Sequence, residues 1–436
     1  MVKEGYKEIT ALGEEHIIPE EWNLTELNEV LTVIRNGSSK KQNKQGQGLP
    51  VSRIETIADG TINYDKVGYV DVEPEDLNKH ELEKGDILFS HINSIAHIGK
   101  VAQYKADKKL YHGMNLLKLR FDNKKVTNQF MLYRLKSTNA KHFYERYAKQ
   151  AVNQASLNQS DVGLYTFPLP SLSEQKKISS ILSSVYKSIK KTDEVIEKTK
   201  ELKKGLIQEL FIKGIRHNEF KETVLGPQEF FIPKTWKVIC LENLTTLIKD
   251  GTHNPPERVD EGIPLLSATN IENGRLNFDK TDNFIREEDY EDMHKKYTLE
   301  TGDVLLTCVG TLGRTTVIKK KTPKFTVQRS VAIFKLNDLI ESEYCYYAFQ
   351  SHYFQEAMKR RSNATAQAGV YLNELSKMQL FIPPLEEQKQ IASILSSMDA
   401  KIKKEEEYKA KLERLKKGLM QKLLTGEIRV NTEMEV

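Results

Sequence analysis

The chain contains the stretch Glu174-Gln175-Lys176-Lys177-Ile178-Ser179-Ser180-Ile181-Leu182-Ser183-Ser184, which returns 213 positions later as Glu387-Gln388-Lys389-Gln390-Ile391-Ala392-Ser393-Ile394-Leu395-Ser396-Ser397. Over Glu174–Leu210 and Glu387–Leu423, 21 of 37 aligned residues are identical. Solenoid proteins repeat with periods of about 20–50 residues. A two-copy repeat with a period near 213 instead predicts a duplicated unit of domain plus helix. A tandem duplication suits a partner that has two similar halves.

Both copies of the repeated stretch predict a long helix whose apolar residues have coiled-coil spacing. Prolines in Phe167-Pro168-Leu169-Pro170 and Phe381-Ile382-Pro383-Pro384 mark the helix starts, because proline is tolerated before a helix and not inside one. About 39 residues at ~1.5 Å each give a helix of roughly 58 Å. The residues predicted to form the two apolar stripes are Ile178, Leu182, Val185, Ile189, Leu202 and Leu206 in the first helix, and Ile391, Leu395, Met398, Ile402, Leu415 and Leu419 in the second.

If the two helices pair with each other, their connection favours an antiparallel arrangement. Each globular segment precedes its own helix, and the first helix must deliver the chain to the second globular segment. The alternative is that each helix packs only on its own domain, but the helices are longer than such a domain is wide. The predicted fold class is mixed α/β, with two similar globular domains separated by two long helices that form an antiparallel coiled coil with pseudo-two-fold symmetry.

The repeat continues more faintly outside the helices. Ile18-Pro19 and Trp22 match Ile232-Pro233 and Trp236, and turns at Lys84-Gly85-Asp86 and Thr301-Gly302-Asp303 each lead into an apolar strand. The predicted boundaries are an N-terminal segment 1–18 packing near the C-terminal helix, a first globular domain 19–170, a central helix 171–214, a linker 215–232, a second globular domain 233–384, and a C-terminal helix with its tail 385–436.

Composition narrows the class of protein. A chain of 436 residues is too long for one compact core and predicts two domains. A net charge of +5 is compatible with nucleic acid binding but is weak support by itself. Three cysteines without a Cys-x-x-Cys pair indicate a reducing compartment, and no run approaches the ~18 apolar residues of a membrane span. We therefore expect a cytoplasmic protein.

Sequence signatures of catalysis are absent. The chain has no Gly-x-x-x-x-Gly-Lys-Ser/Thr phosphate loop and no Gly-x-Gly-x-x-Gly after a strand, and its histidines show no metal-ligand spacing. Asn254-Pro255-Pro256-Glu257 resembles the Asn-Pro-Pro-aromatic motif of amino-methyltransferases, but Glu257 stands where an aromatic residue must stack on the flipped base. We interpret this segment as a turn and expect no catalytic residue, metal or cofactor in this chain.

A basic segment occurs at the matching place in each copy, at Lys100–Arg120 and Gly313–Leu336. Lysine and arginine neutralise DNA phosphates, while polar side chains on neighbouring loops discriminate base edges. For a single residue, a solvated surface or a turn is the simpler interpretation. The residues predicted to contact DNA are Arg35, Ser38, Lys40, Lys41, Lys44, Ser90, His91, Asn93, Lys100, Lys108, Lys109, Asn115 and Gln154 in the first copy, and Thr252, His253, Arg258, Thr307, Thr311, Arg314, Lys319, Lys320, Lys321, Gln328, Arg329, Arg360, Arg361 and Gln367 in the second.

Taken in this order and twice over, the motifs resemble those of the specificity subunit of a type I restriction–modification system. They are the Ile-Pro-x-x-Trp openings, the Asp250-Gly251-Thr252-His253 loop, the Gly-Asp turns before strands, Pro384-Leu385-Glu386-Glu387-Gln388 and the Leu-Lys-Lys-Gly-Leu helix ends. The resemblance covers nearly the whole chain. The first copy departs from it in having Asn36-Gly37-Ser38 at the place of the Asp-Gly-Thr-His loop.

The resemblance implies a non-catalytic, sequence-specific DNA-binding subunit. Each globular domain would be a target-recognition domain for one half of a bipartite DNA site. The helices would set the spacer between the halves and dock two adenine-methyltransferase subunits, to which restriction–translocation subunits are recruited. S-adenosylmethionine, ATP and Mg²⁺ would belong to those partners. The alternatives from the residues alone are a diverged DNA-modifying enzyme, a nuclease or methyltransferase, and a coiled-coil scaffold without a DNA role.

Overall fold

Two compact units make up the chain. The computed structural model describes residues 4–11, 14–106, 108–152, 154–252, 254–281, 283–362 and 369–432. Unit 1 comprises Met1–Asp193 and Tyr408–Val436, and unit 2 comprises Glu194–Glu407. Each unit contains one globular domain and half of each long helix, Leu172–Lys213 (the first long helix) and Leu385–Thr425 (the second long helix). None of the helices in the described ranges is long and apolar enough to cross a membrane.

The globular part of unit 1 is built on a four-stranded antiparallel sheet, the first main sheet. Its strand order is Leu31–Asn36, Leu116–Phe121, Ile87–Ser90 and Val101–Gln103. The other strands are Tyr6–Ala11 with Glu14–Pro19, Asn23–Glu26 with Thr166–Leu169, Tyr111–His112 with Leu49–Ser52 and Gly68–Val70, and Lys149–Ala151 with Gln154–Ser156 and Ile92–Asn93. The shorter helices are Leu27–Val30, Asn128–Leu135, Thr138–Tyr147 and Gln159–Gly163, with 3-10 turns at Glu55–Ile57, Tyr64–Lys66, Pro74–His80 and Ile95–His97.

Unit 2 repeats this architecture on the second main sheet. Its strand order is Thr245–Asp250, Val331–Leu336, Val304–Thr307 and Thr315–Val317. The other strands are Phe220–Leu225 with Gln228–Pro233, Lys237–Cys240 with Gln379–Ile382, Phe284–Ile285 with Ile263–Leu266 and Thr326–Val327, and Ile271–Glu272 with Arg275–Leu276. The shorter helices are Glu287–Met293, Ser342–Gln350, His352–Arg361 and Leu372–Ser376, with 3-10 turns at Leu241–Asn243, Ala268–Asn270 and Phe278–Lys280.

The repeated Glu-Gln pair at the start of each long helix fixes that helix to its globular domain. The Gln175 side chain accepts the backbone N–H of Thr127 at 2.8 Å and donates to the carbonyl of Pro170 at 3.0 Å. The Gln388 side chain makes the same contacts in unit 2, to Glu341 at 2.9 Å and Pro383 at 3.0 Å. Both glutamines are fully buried, so their amides satisfy backbone groups that would otherwise be buried without a partner.

The glutamate of each pair joins the helix start to an indole and to the segment that follows the other long helix. In unit 1, Glu174 accepts the Trp22 indole N–H at 3.0 Å and pairs with Arg429 at 2.8 Å. In unit 2, Glu387 accepts the Trp236 indole N–H at 3.0 Å and the His217 ring nitrogen lies 2.7 Å away. The matching Trp and Glu of the two repeats therefore have one structural role.

Contacts within each unit show that the long helices run antiparallel, as predicted. The pairs that establish the direction are Asp193–Lys409 at 2.5 Å and Tyr186–Met420 at 3.6 Å in unit 1, and Lys200–Glu406 at 3.9 Å and Lys203–Asp399 at 2.6 Å in unit 2. The stripe residues Ile178, Leu182, Ile189, Ile391 and Leu395 are buried, and Val185, Leu206, Met398, Ile402 and Leu419 are partly buried.

Two stripe residues depart from the prediction. Leu202 is 57% exposed and Leu415 is 49% exposed, although both were predicted to pack between the helices. Near the middle of the first long helix the buried positions are instead Thr192, Ile196 and Thr199. The buried face therefore keeps its coiled-coil spacing, and its next position is Lys203, one residue after Leu202. The first leucine of each repeated Leu-Lys-Lys-Gly-Leu segment lies on the surface as a result.

A β-hairpin precedes the globular domain of each unit. Tyr6–Ala11 and Glu14–Pro19 form the first, and the Tyr6 hydroxyl donates to the Gly426 carbonyl at 2.9 Å, beside the end of the second long helix. The segment 215–232, predicted as a linker, instead contains most of the second hairpin, Phe220–Leu225 and Gln228–Pro233. Alternating exposed and half-buried side chains explain the hairpin, because one face packs on the unit.

Candidate nucleic-acid interface

At one end of the first main sheet, backbone hydrogen bonds tie four segments together. We call this the first junction, made of residues 36–40, 90–93, 112–115 and 154–157. Its N–H to carbonyl bonds are Ser38 to His112 at 2.9 Å, Met114 to Ser38 at 2.8 Å, His91 to Asn115 at 3.3 Å and Leu157 to His91 at 2.8 Å. The segments differ widely in sequence position, so the junction fixes the relative positions of side chains that no local motif links.

Unit 2 has an equivalent second junction, made of residues 250–252, 307–309, 327–330 and 369–371. Its N–H to carbonyl bonds are Thr252 to Val327 at 3.1 Å, Arg329 to Thr252 at 3.1 Å, Cys308 to Ser330 at 2.9 Å and Val370 to Cys308 at 2.8 Å. These four bonds occupy the same places in the repeat as the four in unit 1.

A glycine is required at the same position in both junctions. A Cβ on Gly37 would lie 1.9 Å from the Gly113 carbonyl oxygen, and a Cβ on Gly251 would lie 1.9 Å from the Val327 carbonyl oxygen. Only glycine permits this close backbone approach. Asn36-Gly37-Ser38 and the Asp-Gly-Thr of the second copy are thus the same structural feature, although their sequences differ.

The side chains at the junctions differ between the repeats while the backbone bonds agree. Equivalent positions carry Ser38 or Thr252, His91 or Cys308, Gly113 or Gln328, and Met114 or Arg329. Two domains that bind different DNA sequences need this combination of the same backbone arrangement and different side chains.

Four predicted DNA-contacting residues are buried, which corrects the prediction for them. Ser38 is 4%, His91 6%, and Ser90 and Thr307 0% exposed. The hydroxyls of Ser38, Ser90 and Thr307 bond within the protein. The Ser90 hydroxyl accepts the Asn93 side-chain N–H at 3.1 Å, and the Thr307 hydroxyl accepts the Arg314 backbone N–H at 2.9 Å.

The basic segment of the first copy is largely engaged by the protein itself. Lys100 donates to the Ala58 carbonyl at 3.1 Å, the Lys108 ammonium lies 5.2 Å from the Tyr64 ring centroid, and Lys109 pairs with Glu81 at 3.8 Å. Arg120 binds Asp86 at 2.8 Å, and Lys118 is buried with its ammonium donating to backbone carbonyls. The segment is therefore less available to phosphates than its sequence indicates.

The basic segment of the second copy is divided between the two ends of the second main sheet. Arg314 lies beside the junction and donates to the Ile271 carbonyl at 3.2 Å. Lys319, Lys320 and Lys321 lie at the other end of strand Thr315–Val317. Lys319 pairs with Glu343, while no ion pair to Lys320 or Lys321 occurs among the residues that the structure describes. Thr307 and Thr311, at the junction end of the sheet, are therefore not neighbours of these lysines, contrary to the prediction.

Other predicted residues lie on the surface. Arg35, Lys40, Lys41, Lys44, Gln154, Arg258, Thr311, Arg329 and Arg360 are exposed, and Asn93, Asn115, Thr252, Gln328 and Arg361 are partly buried. Lys40 pairs with Asp76 at 3.7 Å, Arg35 donates to the Lys79 carbonyl at 3.1 Å, and Arg361 pairs with Glu374 at 3.8 Å. His253 and Gln367 lie outside the described residues.

Three exposed apolar side chains beside the junctions were missed in the sequence. Met114 is 56%, Val152 93% and Tyr371 64% exposed. Met114 belongs to the first junction, Val152 lies at the tip of the hairpin that enters it, and Tyr371 belongs to the second. Apolar groups contact the thymine methyl in the major groove. A large apolar residue within a polar turn is the sequence pattern that could have identified these exposed side chains.

Two histidines are buried in the first junction. Burial lowers the pKa of His91 to about 4, against a weaker opposing effect of the Asn115 backbone. Burial also lowers the pKa of His112 to about 4, although its ring nitrogens face the carbonyls of His80 at 3.0 Å and Arg35 at 3.2 Å. Both rings are therefore neutral near pH 7.

Unit 1 should lose stability on acidification. A histidine whose folded-state pKa is below its unfolded value binds more protons when unfolded, so stability is present above pH 6.5 and is lost as the pH falls toward 4. Each histidine contributes on the order of 3 kcal/mol to that loss. Chemical denaturation of the chain between pH 7.5 and 4.5 measures it.

The second repeat supplies matched controls for this prediction. His91→Cys and His112→Val introduce the residues found at Cys308 and Val327, which do not become positively charged. Each variant should have a shallower dependence of unfolding free energy on pH than the parent chain. An unchanged dependence in the double variant would show that other groups control the acid response.

Comparison with known proteins decides the family. The profile of the type I restriction modification DNA specificity domain matches residues 19–200 and again residues 233–414. The chain belongs to this family. It carries two such domains and is the non-catalytic, DNA-specificity component of a type I restriction–modification complex, which has further subunits.

Curated relatives match over the full length. The chain is 36% identical over 442 residues to a protein of Methanocaldococcus jannaschii named as the type I restriction enzyme MjaX specificity subunit, covering 99% of this chain and 98% of that protein. It is 26% identical to the type I restriction enzyme MjaVIII specificity subunit of the same organism, covering 98% of this chain and 97% of that protein. Type I specificity family membership thus agrees with the resemblance found in the sequence.

Solved structures share the fold. The S subunit of a type I restriction–modification system from M. genitalium matches with a TM-score of 0.56 at 17% identity, covering 92% of this chain and 96% of that chain. A chain from a structure on complex assembly and conformational transition of the type I R-M system matches with a TM-score of 0.58 at 16% identity, covering 94% and 99%.

Proposed function

We propose that each globular domain is a target-recognition domain that binds one half of a bipartite DNA site through its junction. The observation that carries this proposal is the pair of junctions with equal backbone bonds and unequal side chains. Arginine and glutamine at base edges, with apolar contacts to thymine, are the side chains that discriminate sequence in the major groove. Gln328, Arg329 and Met114 are of these types.

We further propose that the long helices set the spacer between the half-sites and dock two methyltransferase subunits, with restriction–translocation subunits joining that core. Exposed Leu202 and Leu415 support this proposal, because they occupy equivalent places in the repeat and so offer two like surfaces. S-adenosylmethionine, ATP and Mg²⁺ are proposed to bind those partners and not this chain. Such a complex would work in the cytoplasm.

The lysines beside the first junction should contribute to DNA affinity without choosing the sequence. In the complex with methyltransferase, Lys40→Ala, Lys41→Ala and Lys44→Ala together should flatten the log–log salt dependence of DNA binding by up to about 0.9 per lost contact. The methylated sequence should stay the same. Binding of labelled duplex across a salt series measures the slope, and sequencing of methylated sites measures specificity.

The matching substitutions at Lys319, Lys320 and Lys321 test the other end of the second main sheet. Their contact with DNA stays a prediction of the sequence. If only this second triple variant flattened the salt dependence, the DNA-binding surface would lie away from the junction and the proposal would fail.

The exposed leucines should be required for the partner and not for folding. Leu202→Glu with Leu415→Glu should abolish co-purification of the methyltransferase while leaving the melting temperature of the chain within a few degrees, because neither side chain is in the core. Ile428→Glu, at a residue 46% exposed outside the helices, is the matched control. Full co-purification of the leucine variant would place the partner elsewhere.

A further inference from the structure

Beside the long helices, the two repeats differ in charge at equivalent positions. In unit 2, Lys203 binds Asp399 at 2.6 Å, the Tyr347 hydroxyl donates to Asp399 at 2.7 Å, and Lys319 pairs with Glu343. Each of these two lysines has its own carboxylate. This part of unit 2 is therefore neutralised within the protein.

Unit 1 retains both lysines and replaces both carboxylates. Lys416 and Lys105 stand at the places of Lys203 and Lys319, while Tyr186 and Gln129 stand at the places of Asp399 and Glu343. Two more lysines are added, Lys136 where unit 2 has Gln350 and Lys187 where it has Ala400. Across these six positions, unit 1 carries four lysines and no acid, and unit 2 carries two lysines and two acids.

Two of the four lysines of unit 1 lie over the Tyr186 ring. The ammonium groups of Lys416 and Lys136 lie 5.0 Å and 5.8 Å from the ring centroid. Lys136 donates to the Gly60 carbonyl at 2.9 Å, and Lys105 donates to the Gln129 side-chain oxygen at 3.1 Å. Apart from the ring itself, these partners are neutral hydrogen-bond acceptors.

Carboxylates are scarce around this cluster. Glu413 pairs with Lys416 from one helical turn away, at the place where unit 2 has Lys200. Within the described ranges, no carboxylate forms an ion pair with Lys105, Lys136 or Lys187. Three cations thus lie together without a counter-charge from the protein.

The electrostatic consequence is visible in the pKa values. Burial, then the charges of Lys105 and Lys416, lower the pKa of Lys136 to about 8. Burial and then Lys187 lower the pKa of Lys105. An anion bound among these groups would relieve their mutual repulsion and hold all of them protonated.

We propose that Lys105, Lys136, Lys187 and Lys416 form a binding site for a phosphate group. Lysine binds phosphate as a point charge with up to three N–H donors, and several convergent ammonium groups suit an oxygen-rich anion. The site lies beyond the end of strand Val101–Gln103 opposite the first junction, so it is separate from the proposed sequence reader. The phosphate belongs either to a small anion in solution or to a DNA backbone that extends beyond the recognised half-site.

Pyrophosphate titration of the full chain by calorimetry tests the first source. We expect saturable binding of pyrophosphate. Lys136→Gln introduces the residue that unit 2 has at the equivalent position, Gln350. This substitution should weaken pyrophosphate binding by about tenfold or more, as expected for a lost charge-assisted hydrogen bond. Gln129→Glu, the residue of unit 2 at Glu343, keeps every lysine and should weaken binding by neutralising Lys105. Gln350→Lys in unit 2 should create no site, because Glu343 and Asp399 remain.

The salt dependence of DNA binding in the methyltransferase complex tests the second source. If the phosphate belongs to DNA, Lys136→Gln should flatten the log–log slope by about 0.9 and leave the methylated sequence unchanged. Thermal melting checks that the Lys136→Gln variant folds. If that variant does not fold, the Gln129→Glu variant alone tests the proposal in both assays. The proposal would be overturned if neither Gln129→Glu nor a folded Lys136→Gln changed pyrophosphate binding or the salt dependence of DNA binding.

Discussion

Inserting one heptad after Ile196 and another after Lys409 is expected to lengthen the unmethylated spacer of the target by up to about three base pairs. Seven residues at ~1.5 Å each add about 10 Å to a helix, and B-DNA advances about 3.4 Å per base pair. Both insertion points lie within three residues of the Asp193–Lys409 ion pair, where one compact unit ends and the other begins. Neither insertion moves a junction, so the half-site sequences should stay the same.

Sequencing of methylated sites in cells that carry the variant and the methyltransferase measures the spacer. Insertion into one helix alone is the control, because it shifts the antiparallel register within a unit and should abolish methylation. An increase of less than three base pairs fits the proposal, since the readers must also follow the groove around the duplex. Full activity with the original spacer would leave the helices as a docking platform only.

The architecture was predictable because local sequence patterns identify the two long helices and the order of the segments along the chain. The repeated apolar spacing predicted two long helices, and the order of the segments, with each globular domain before its own helix, favoured an antiparallel pair. The structure confirms both. The role of Gln175 and Gln388 was not predictable, because their partners are backbone groups and backbone groups look alike in every sequence.

The candidate site was harder to predict because exposure and pairing depend on residues far apart in the chain. Arg120 is neutralised by Asp86, and Lys319 by Glu343, which no count of charges within the basic segments takes into account. Ser90 and Thr307 end strands in which every residue is buried, so both faces of these strands are covered. The junctions themselves are built from backbone bonds between four distant segments, and only the two glycines mark them in the sequence.

The prediction of the helix stripe was wrong at Leu202 and Leu415 for a different reason. The buried face keeps its coiled-coil spacing, but two of its positions are threonines, which a search for apolar residues passes over. Thr192 and Thr199 occupy these positions, and the next one falls on Lys203, one residue after Leu202. A leucine in the pattern but off the buried face is then available to another subunit, which is the role proposed for both leucines.

A half-chain of residues 1–219 with methyltransferase is expected to methylate a palindromic site built from the first half-target. In unit 1, the Tyr186 ring contacts Lys416 and its hydroxyl donates to Met420. The repeat has Lys203 and Ile207 at those two places, so a second copy of the first long helix offers a lysine and an apolar side chain to the same surface. Two half-chains should therefore pair through their helices.

The end point of the half-chain follows from the contacts of Glu387. The backbone N–H of Ile215 donates to this carboxylate at 2.9 Å and the His217 ring nitrogen lies 2.7 Å from it. In a dimer of half-chains, the same two groups would bind Glu174 of the second copy, in place of Arg429. A half-chain of residues 1–212 lacks these groups and is the matched control, expected to pair more weakly. Methylation of the original asymmetric site by the longer half-chain, or of no site, would show that the two readers are not independent.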